Sequence, residues 1–443
     1  MRRVTAPVPD TPETASAWRR AVGAVAVDIG LLRRRRDFGL LVLGQTVSEA
    51  GSMATFVAVP FQVFELTGSS LAVGLLGVAE FAPIIVLALV GGALADAFDR
   101  RRLVQVAEVG AALAAGALLV NAALPDPQLW VLYLCAALMA AFTAVRRPPL
   151  DALIPRLVER DELKAASALQ FSFHNMASLA GPALAGLLIA GAGLTVTYGV
   201  DVASFAASLV VLTAMRTPPP PPDAEPPSLR TIVEGLRYAR SRQDLVGTYL
   251  VDMNAMFFGM PMALFPAIAK RYGGPEVLGL LYAAPSAGSI AVTLTSGWTS
   301  RVHRHGRAIV YGAAAWGVAI VAFGFADVLW LAVACLVAAG AMDTISGIFR
   351  SAIWNETIPD HLRGRLAGVE MISWSSGPLL GNAEAGLLAA LASVRASVVT
   401  GGIACVAGTL ALAVALPRFW GYDSRTHAAG PDASVPNVTD VRA

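Results

Sequence analysis

The sequence predicts an all-α membrane protein of twelve transmembrane helices arranged as two six-helix pseudo-repeats. Three observations carry that prediction. The chain is 56% hydrophobic and only 14% charged, with a mean hydropathy of +0.62, whereas soluble domains average about 45–50% apolar and about 25% charged. Its apolar residues fall in a series of runs of bilayer-spanning length. Its basic residues gather in alternate connections between those runs.

A helix needs about 20 mostly apolar residues to cross a bilayer. Twelve runs meet this length, over approximately 38–65, 71–92, 103–124, 129–147, 165–191, 195–215, 244–269, 277–300, 308–326, 329–350, 366–391 and 396–416. Short turns such as 66–70 and 125–128 separate neighbours, and the abundant Gly and Ala suit helices packed backbone to backbone. The first run lies behind Arg33–Arg36 and is too long for the apolar core of a cleavable leader, so it is expected to persist as the first helix. Of the 33 Lys and Arg, all but Lys270, Arg271 and Arg395 fall at the two ends or in the even-numbered connections. The positive-inside rule therefore puts both termini in the cytoplasm of a multi-pass membrane protein.

The expected division is a cytoplasmic segment over 1–37, a first bundle over 38–216, a linker over 217–243, a second bundle over 244–416 and a disordered cytoplasmic tail over 417–443. The linker begins TPPPPPDAEPPS, which cannot be helical and reads as an extended spacer. Leu229, Ile232, Val233 and Leu236 then share one helical face opposite Arg230, Glu234, Arg237 and Arg240, the pattern of an interfacial amphipathic helix. The bundles read as repeats. Gly92 and Gly297, Ile154-Pro155 and Ile358-Pro359, and Gly181-Pro182 and Gly377-Pro378 recur at corresponding places. Parallel repeats of this kind are a transporter architecture.

Several functions are excluded by what is missing. Basic residues lie between apolar runs without interleaved aromatics, so no nucleic-acid surface is expected. Cys135, Cys335 and Cys405 sit inside apolar runs without metal or redox spacing, so no metal site and no cofactor are expected. No nucleophile–base or phosphate-loop signature marks an enzyme.

The segment Gly92-Ala-Leu-Ala-Asp96-Ala-Phe-Asp99-Arg100-Arg101-Arg102 resembles the loop signature of the major facilitator superfamily, with Asp99 where Gly is common. Ala180-Gly181-Pro182-Ala-Leu-Ala-Gly186 is similar to the Gly-Pro motif of that superfamily's exporters, in which Pro kinks the helix and the glycines let a neighbour approach. The phrases LIPRLVERDELKAASAL (153–169) and RGRLAG (363–368), the latter carrying Arg363 and Arg365, resemble the enterobactin-exporter and macrolide-efflux branch. The resemblance implies the major facilitator fold and a monomer that exports drug-like compounds, secondary metabolites or siderophores by alternating access, with proton antiport as the coupling. It also implies that Gly92, Asp96, Arg100, Arg101, Gly181, Pro182, Gly186, Arg363 and Arg365 belong to conformational-switch motifs. A lipid or lysolipid flippase, or an importer, on the same fold is the alternative.

An ionisable group inside a membrane helix marks a pathway or relay. Glu49, Glu80, His174, Asp252, Asp343 and Glu384 fall within runs that this fold places around its cavity. Gln45, Glu49, Ser52 and Phe56 share a helical face, making Glu49 the first candidate for carrying the coupling proton. Asp343 and Arg350, seven apart, suit a latch, and His174 with Asn175 a relay. Glu108 and Asp201 lie nearer helix ends, where snorkelling is expected. With acids inside the runs and no Lys or Arg at their middles, the expected cavity favours protons and cationic or neutral substrates, such as amphiphilic drug-like molecules.

Overall fold

The computed structural model describes residues 29–97, 100–215 and 237–427. The side chains of 88–97, 100, 148, 151–152, 360–365 and 367–374 fall outside that description. Among the described residues there is no strand. Helices α1 (Arg36–Thr67), α2 (Ser70–Ala97), α3 (Arg100–Ala123) and α4 (Leu129–Leu157) are followed by the stretch Leu163–Ala214. That stretch is two helices, α5 (163–192) and α6 (194–214), because Gly193 at φ 82° breaks it. Then come α7 (Gln243–Tyr272), α8 (Pro275–Leu294), α9 (His305–Gly324), α10 (Leu329–Thr357), α11 (Asp360–Leu391) and α12 (Val394–Ala415).

Local chemistry sets several of these ends. Gly68 adopts φ 63°, and its N–H bonds the Phe64 carbonyl to terminate α1, as a left-handed C-cap does. The Ser393 hydroxyl accepts the Ala396 N–H at the start of α12. Helix α7 is interrupted after Phe258 by a 3₁₀ turn, Met262–Leu264. Neighbours bond the backbone groups that the break frees: Asn382 Oδ1 accepts the Ala263 N–H at 3.0 Å, and the Tyr282 hydroxyl donates to the Met262 carbonyl at 3.2 Å. Such repair is what allows broken helices at membrane depth.

Nine stretches among the described residues are long and apolar enough to cross a membrane, one of them holding both α5 and α6. Helix α1 is absent from the nine because Gln45, Ser48, Glu49 and Gln62 dilute its apolarity. Two expected boundaries are corrected. Helices α4 and α10 continue past 147 and 350 to 157 and 357; the basic residues that suggested an end point into the bundle instead of stopping the helix.

The tail is also corrected at its start. Residues 417–427 do not form part of a disordered tail. They make two short turns, Pro417–Trp420 and Ser424–His427, docked on the ends of α7, α9 and α10. Phe419 is fully buried against Gly247 and Gly306, and the Tyr422 hydroxyl donates to Glu356 at 2.8 Å. The aromatic pattern Phe419, Trp420, Tyr422 explains why this stretch packs although it follows the last apolar run. The proline-rich linker and most of the amphipathic helix lie outside the described residues; only the turn 237–241 is seen.

On the face bearing the start of α1, Arg35 pairs with Glu159 and, at 2.8 Å, with Glu162. The Glu162 carboxyl is held below its ordinary value by the Glu159 backbone N–H and then by Arg35. On the opposite face, Arg271 and Arg395 converge on Asp327 at 2.7 and 2.6 Å, tying three connections together.

Candidate functional site

The first six helices meet the last six along two seams, α2 against α11 and α5 against α8. Both seams bring backbone against backbone at glycines. Gly74 and Gly77 of α2 lie against the carbonyls of Asn382 and Leu379, and Gly279 of α8 lies against the Pro182 carbonyl and Gly186 of α5. A side chain at any of these glycines would collide with main chain of the opposite helix. The two seams correspond, since Gly74 and Gly279 differ by 205 residues and Gly186 and Asn382 by 196. They close the face away from the start of α1.

Below the seams lies a cavity of about 520 Å³. Its walls carry five thioethers (Met53, Met139, Met256, Met260 and Met262), the rings of Phe56, Phe142, Phe205 and Tyr282, and a charged set comprising Glu49, Glu80, Arg146 and Arg147. Phe56 and Tyr282 meet edge to face across the two halves of the chain, 5.4 Å between centroids. The Gly-Pro motif acts here as a packing device twice over: Gly181 receives Met53 of α1, and Gly377 receives Met256 of α7.

Two charged clusters flank this space. In the first, Arg146 of α4 donates to Glu108 of α3 at 2.8 Å and to Gln45 Oε1 at 3.3 Å, and stands 3.9 Å from Glu49. Glu108 is fully buried and also accepts from Gln45, Ser48 and Ser208. Glu49, with a quarter of its side chain exposed, lies 3.8 Å from His174 Nδ1. Above this cluster, the buried Asp201 accepts from Thr55 and Ser204. In the second cluster, Arg350 of α10 stands 2.7 Å from Asp252 of α7 and 3.6 Å from Asp343 of its own helix.

The structure thus brings Glu49 together with His174, and Asp252 together with Asp343. The expected pair Asp343–Arg350 is present, with Asp252 as its closer member. Glu80 lines the cavity and Glu384 is half-buried on α11, both apart from the two clusters. Gly92, Asp96, Arg100, Arg363 and Arg365 have side chains outside the described residues, and the Arg101 guanidinium donates to the Thr213 carbonyl at 2.7 Å, joining α3 to the end of α6.

Two expectations are overturned. Glu108 and Asp201 do not snorkel; both are fully buried and hydrogen-bonded, because α3 and α6 place them level with polar groups of α1. The interior is not free of cations either. Arg146 and Arg350 have side chains only 11% and 10% exposed, and each meets an acid that sequence alone left unpaired, Glu108 and Asp252 respectively. Their signal was in the repeat: Glu49 and Asp252 differ by 203 residues, Arg146 and Arg350 by 204, the same spacing as the Ile-Pro pairs.

The family model described as transmembrane secretion effector matches residues 32–441. The enterobactin exporter EntS of Citrobacter koseri is 28% identical over 382 residues, 86% of this chain and 92% of that one; its Salmonella typhimurium counterpart matches to the same extent. Among solved structures, a bacterial homologue of the human lysosomal transporter Spinster, inward-facing and unoccupied, superposes with a TM-score of 0.68 at 15% identity, covering 91% of this chain and 99% of its own.

Proposed function

This chain belongs to the transmembrane secretion effector family of the major facilitator superfamily, and from that premise we propose that it exports small amphiphilic organic molecules bearing acidic or phenolic groups. It is a multi-pass membrane transporter; the direction, the substrate class and the coupling are our reading. The observation that carries the reading is the cavity. Thioethers and aromatic rings offer an adaptable apolar surface, and Arg146 and Arg147 of α4 set two guanidinium groups in a wall that also holds the Glu49 carboxylate. Donors of that kind within reach of the cavity let a substrate bear acidic or phenolic groups, which the acids alone did not suggest. Similarity to enterobactin exporters supports a catecholate, siderophore-like cargo.

In this reading twelve helices span the membrane, divided at the linker 217–243, with both termini cytoplasmic as the basic residues require. The backbone seams then close the outer face, and the cavity is the inward-facing state of an alternating-access cycle driven by protons. The loop signature around Gly92 and Asp96 would govern the switch between states. The test is uptake into inverted vesicles energised by a pH gradient, comparing enterobactin with a lipophilic cationic dye. Accumulation of enterobactin in preference to the dye is expected. Accumulation of the dye alone, or of neither, refutes the substrate class.

A further inference from the structure

We propose that Asp343, in the cluster Asp252–Arg350–Asp343, is the carboxylate that carries the exchanged proton, rather than Glu49. The inference rests on the proton-driven export proposed above and names the ion site within it.

The two clusters occupy equivalent places in the repeat, so their differences are informative. Each holds two acids and one arginine, leaving one negative charge in excess. In the first cluster that excess is dispersed. Glu108 receives donors from Gln45, Ser48, Ser208 and Arg146, and Glu49 has both Arg146 and His174 within 4 Å. In the second cluster nothing disperses it. The residue matching Glu108 is Gly312, which lies against Ser346, and the second acid, Asp343, stands instead where the first half has Met139. Among the described residues no hydroxyl or amide donates to Asp252 or Asp343, and Ser346 accepts from Arg350 rather than donating to either acid. Asp252 Oδ1 and Asp343 Oδ1 are buried atoms that receive no hydrogen bond; the 2.7 Å approach of Arg350 to Asp252 is an ion pair by distance but is poorly aligned as a hydrogen bond.

A buried carboxylate oxygen without a donor is costly, and two acids sharing one site cannot both stay ionised cheaply. One added proton makes the cluster neutral. Asp252, 3% exposed and nearest to Arg350, keeps the charge. Asp343, 3.6 Å from Arg350 and 29% exposed, is the acid that a proton can reach. The charged groups facing Asp343 are Arg350 on its own helix and Asp252 on α7. Helices α8 and α9 also pack on α10, but their charged residues, Glu276, His305 and Arg307, stand at their first turns. Proton uptake at Asp343 leaves Arg350 to Asp252 alone; proton release makes Arg350 shared again. The cluster therefore has two arrangements that differ by one proton, which is the property an antiporter needs.

The test uses the purified full-length chain and protons as the only ligand. Infrared difference spectra across a pH titration read the carbonyl stretch of protonated carboxyl groups. We expect Asp343→Asn to remove one titrating band, Asp343→Glu to keep it at a shifted position, and Glu49→Gln to leave it in place. A band unchanged in Asp343→Asn, or removed by Glu49→Gln instead, overturns the assignment. In vesicles carrying enterobactin, Asp343→Asn should lose accumulation against the gradient while substrate counterflow continues. Gradient-driven accumulation surviving in Asp343→Asn also overturns it. Should wild-type vesicles carry no enterobactin, the proposed substrate fails while the infrared result still decides the proton site.

Discussion

Glu108 shows how much one side chain can organise. A fully buried carboxylate is tolerable only when paired and hydrogen-bonded, and Glu108 meets that condition with four donors from α1, α4 and α6. Replacing it with Gln removes the closest carboxylate from Arg146, which keeps its bonds to Gln45 and Ser48 but has only Glu49, at 3.9 Å, as a charged partner among the described residues; breaking a buried pair in this way destabilises by about 3–5 kcal/mol. Glu108→Gln should therefore lower the melting temperature of the detergent-solubilised protein well below that of Glu49→Gln, whose carboxylate is partly exposed and loosely held. Equal melting of the two variants would mean that Glu108 is not the anchor. The sequence showed that acids stood inside the membrane and roughly which helices held them. Beyond the Asp343–Arg350 pair it did not show which acid meets which arginine, because a helix boundary uncertain by one turn moves Arg146 or Arg350 between a lipid headgroup and the bundle interior. For the other pairs the 204-residue spacing between those arginines carried the information, and it becomes legible once the repeat is applied to charges as well as to glycines and prolines.

At the scale of elements, long apolar runs were readable and their interruptions were not. The break in α7 falls at Gly259-Met260-Pro261, where a proline alone would suggest a kink; the full 3₁₀ turn exists because Asn382 and Tyr282, far away in sequence, bond the freed backbone. The docked turns 417–427 were likewise hidden, since burial of Phe419 depends on Gly247 and Gly306 leaving room. The connections on the face away from the start of α1 allow a prediction of their own. Asp327 joins Arg271 and Arg395, and its carboxyl is held below the ordinary value first by the hydrogen bond from Arg271 and then by the charge of Arg395. A depressed native value means the bracket stabilises the protein above the ordinary aspartate range of about pH 4 and stops doing so as pH falls through the lower native value. The group is largely exposed, so the effect should be small and weakened by salt. Melting followed against pH should show a small acid-side loss in wild type that is missing in Asp327→Asn. An identical pH profile in both proteins would remove the bracket from the account.

For the whole molecule, composition and charge placement made the helical membrane class plain, and the repeated motifs made its twofold organisation readable. Which face is shut was not readable, because the residues that let the seams pack closely are glycines that any helix might carry. In the structure these glycines hold the closed face through main-chain contact. Gly279→Val should force α8 from α5 and favour the state in which that face is open. Spin labels on the ends of α5 and α8 should then report a longer separation than in wild type; an unchanged distance would show that the seam yields without opening. The seams also bear on ancestry. The surface that α2 presents to α11 corresponds to the one that α8 presents to α5, so a six-helix precursor could have joined a second copy of itself through one self-complementary, isologous patch. In such a pair every change at a seam residue would have been felt twice. Fusion into one chain released that constraint, and the present seams record the divergence: Asn382 now braces a broken helix on one side, while its counterpart on the other is simply Gly186.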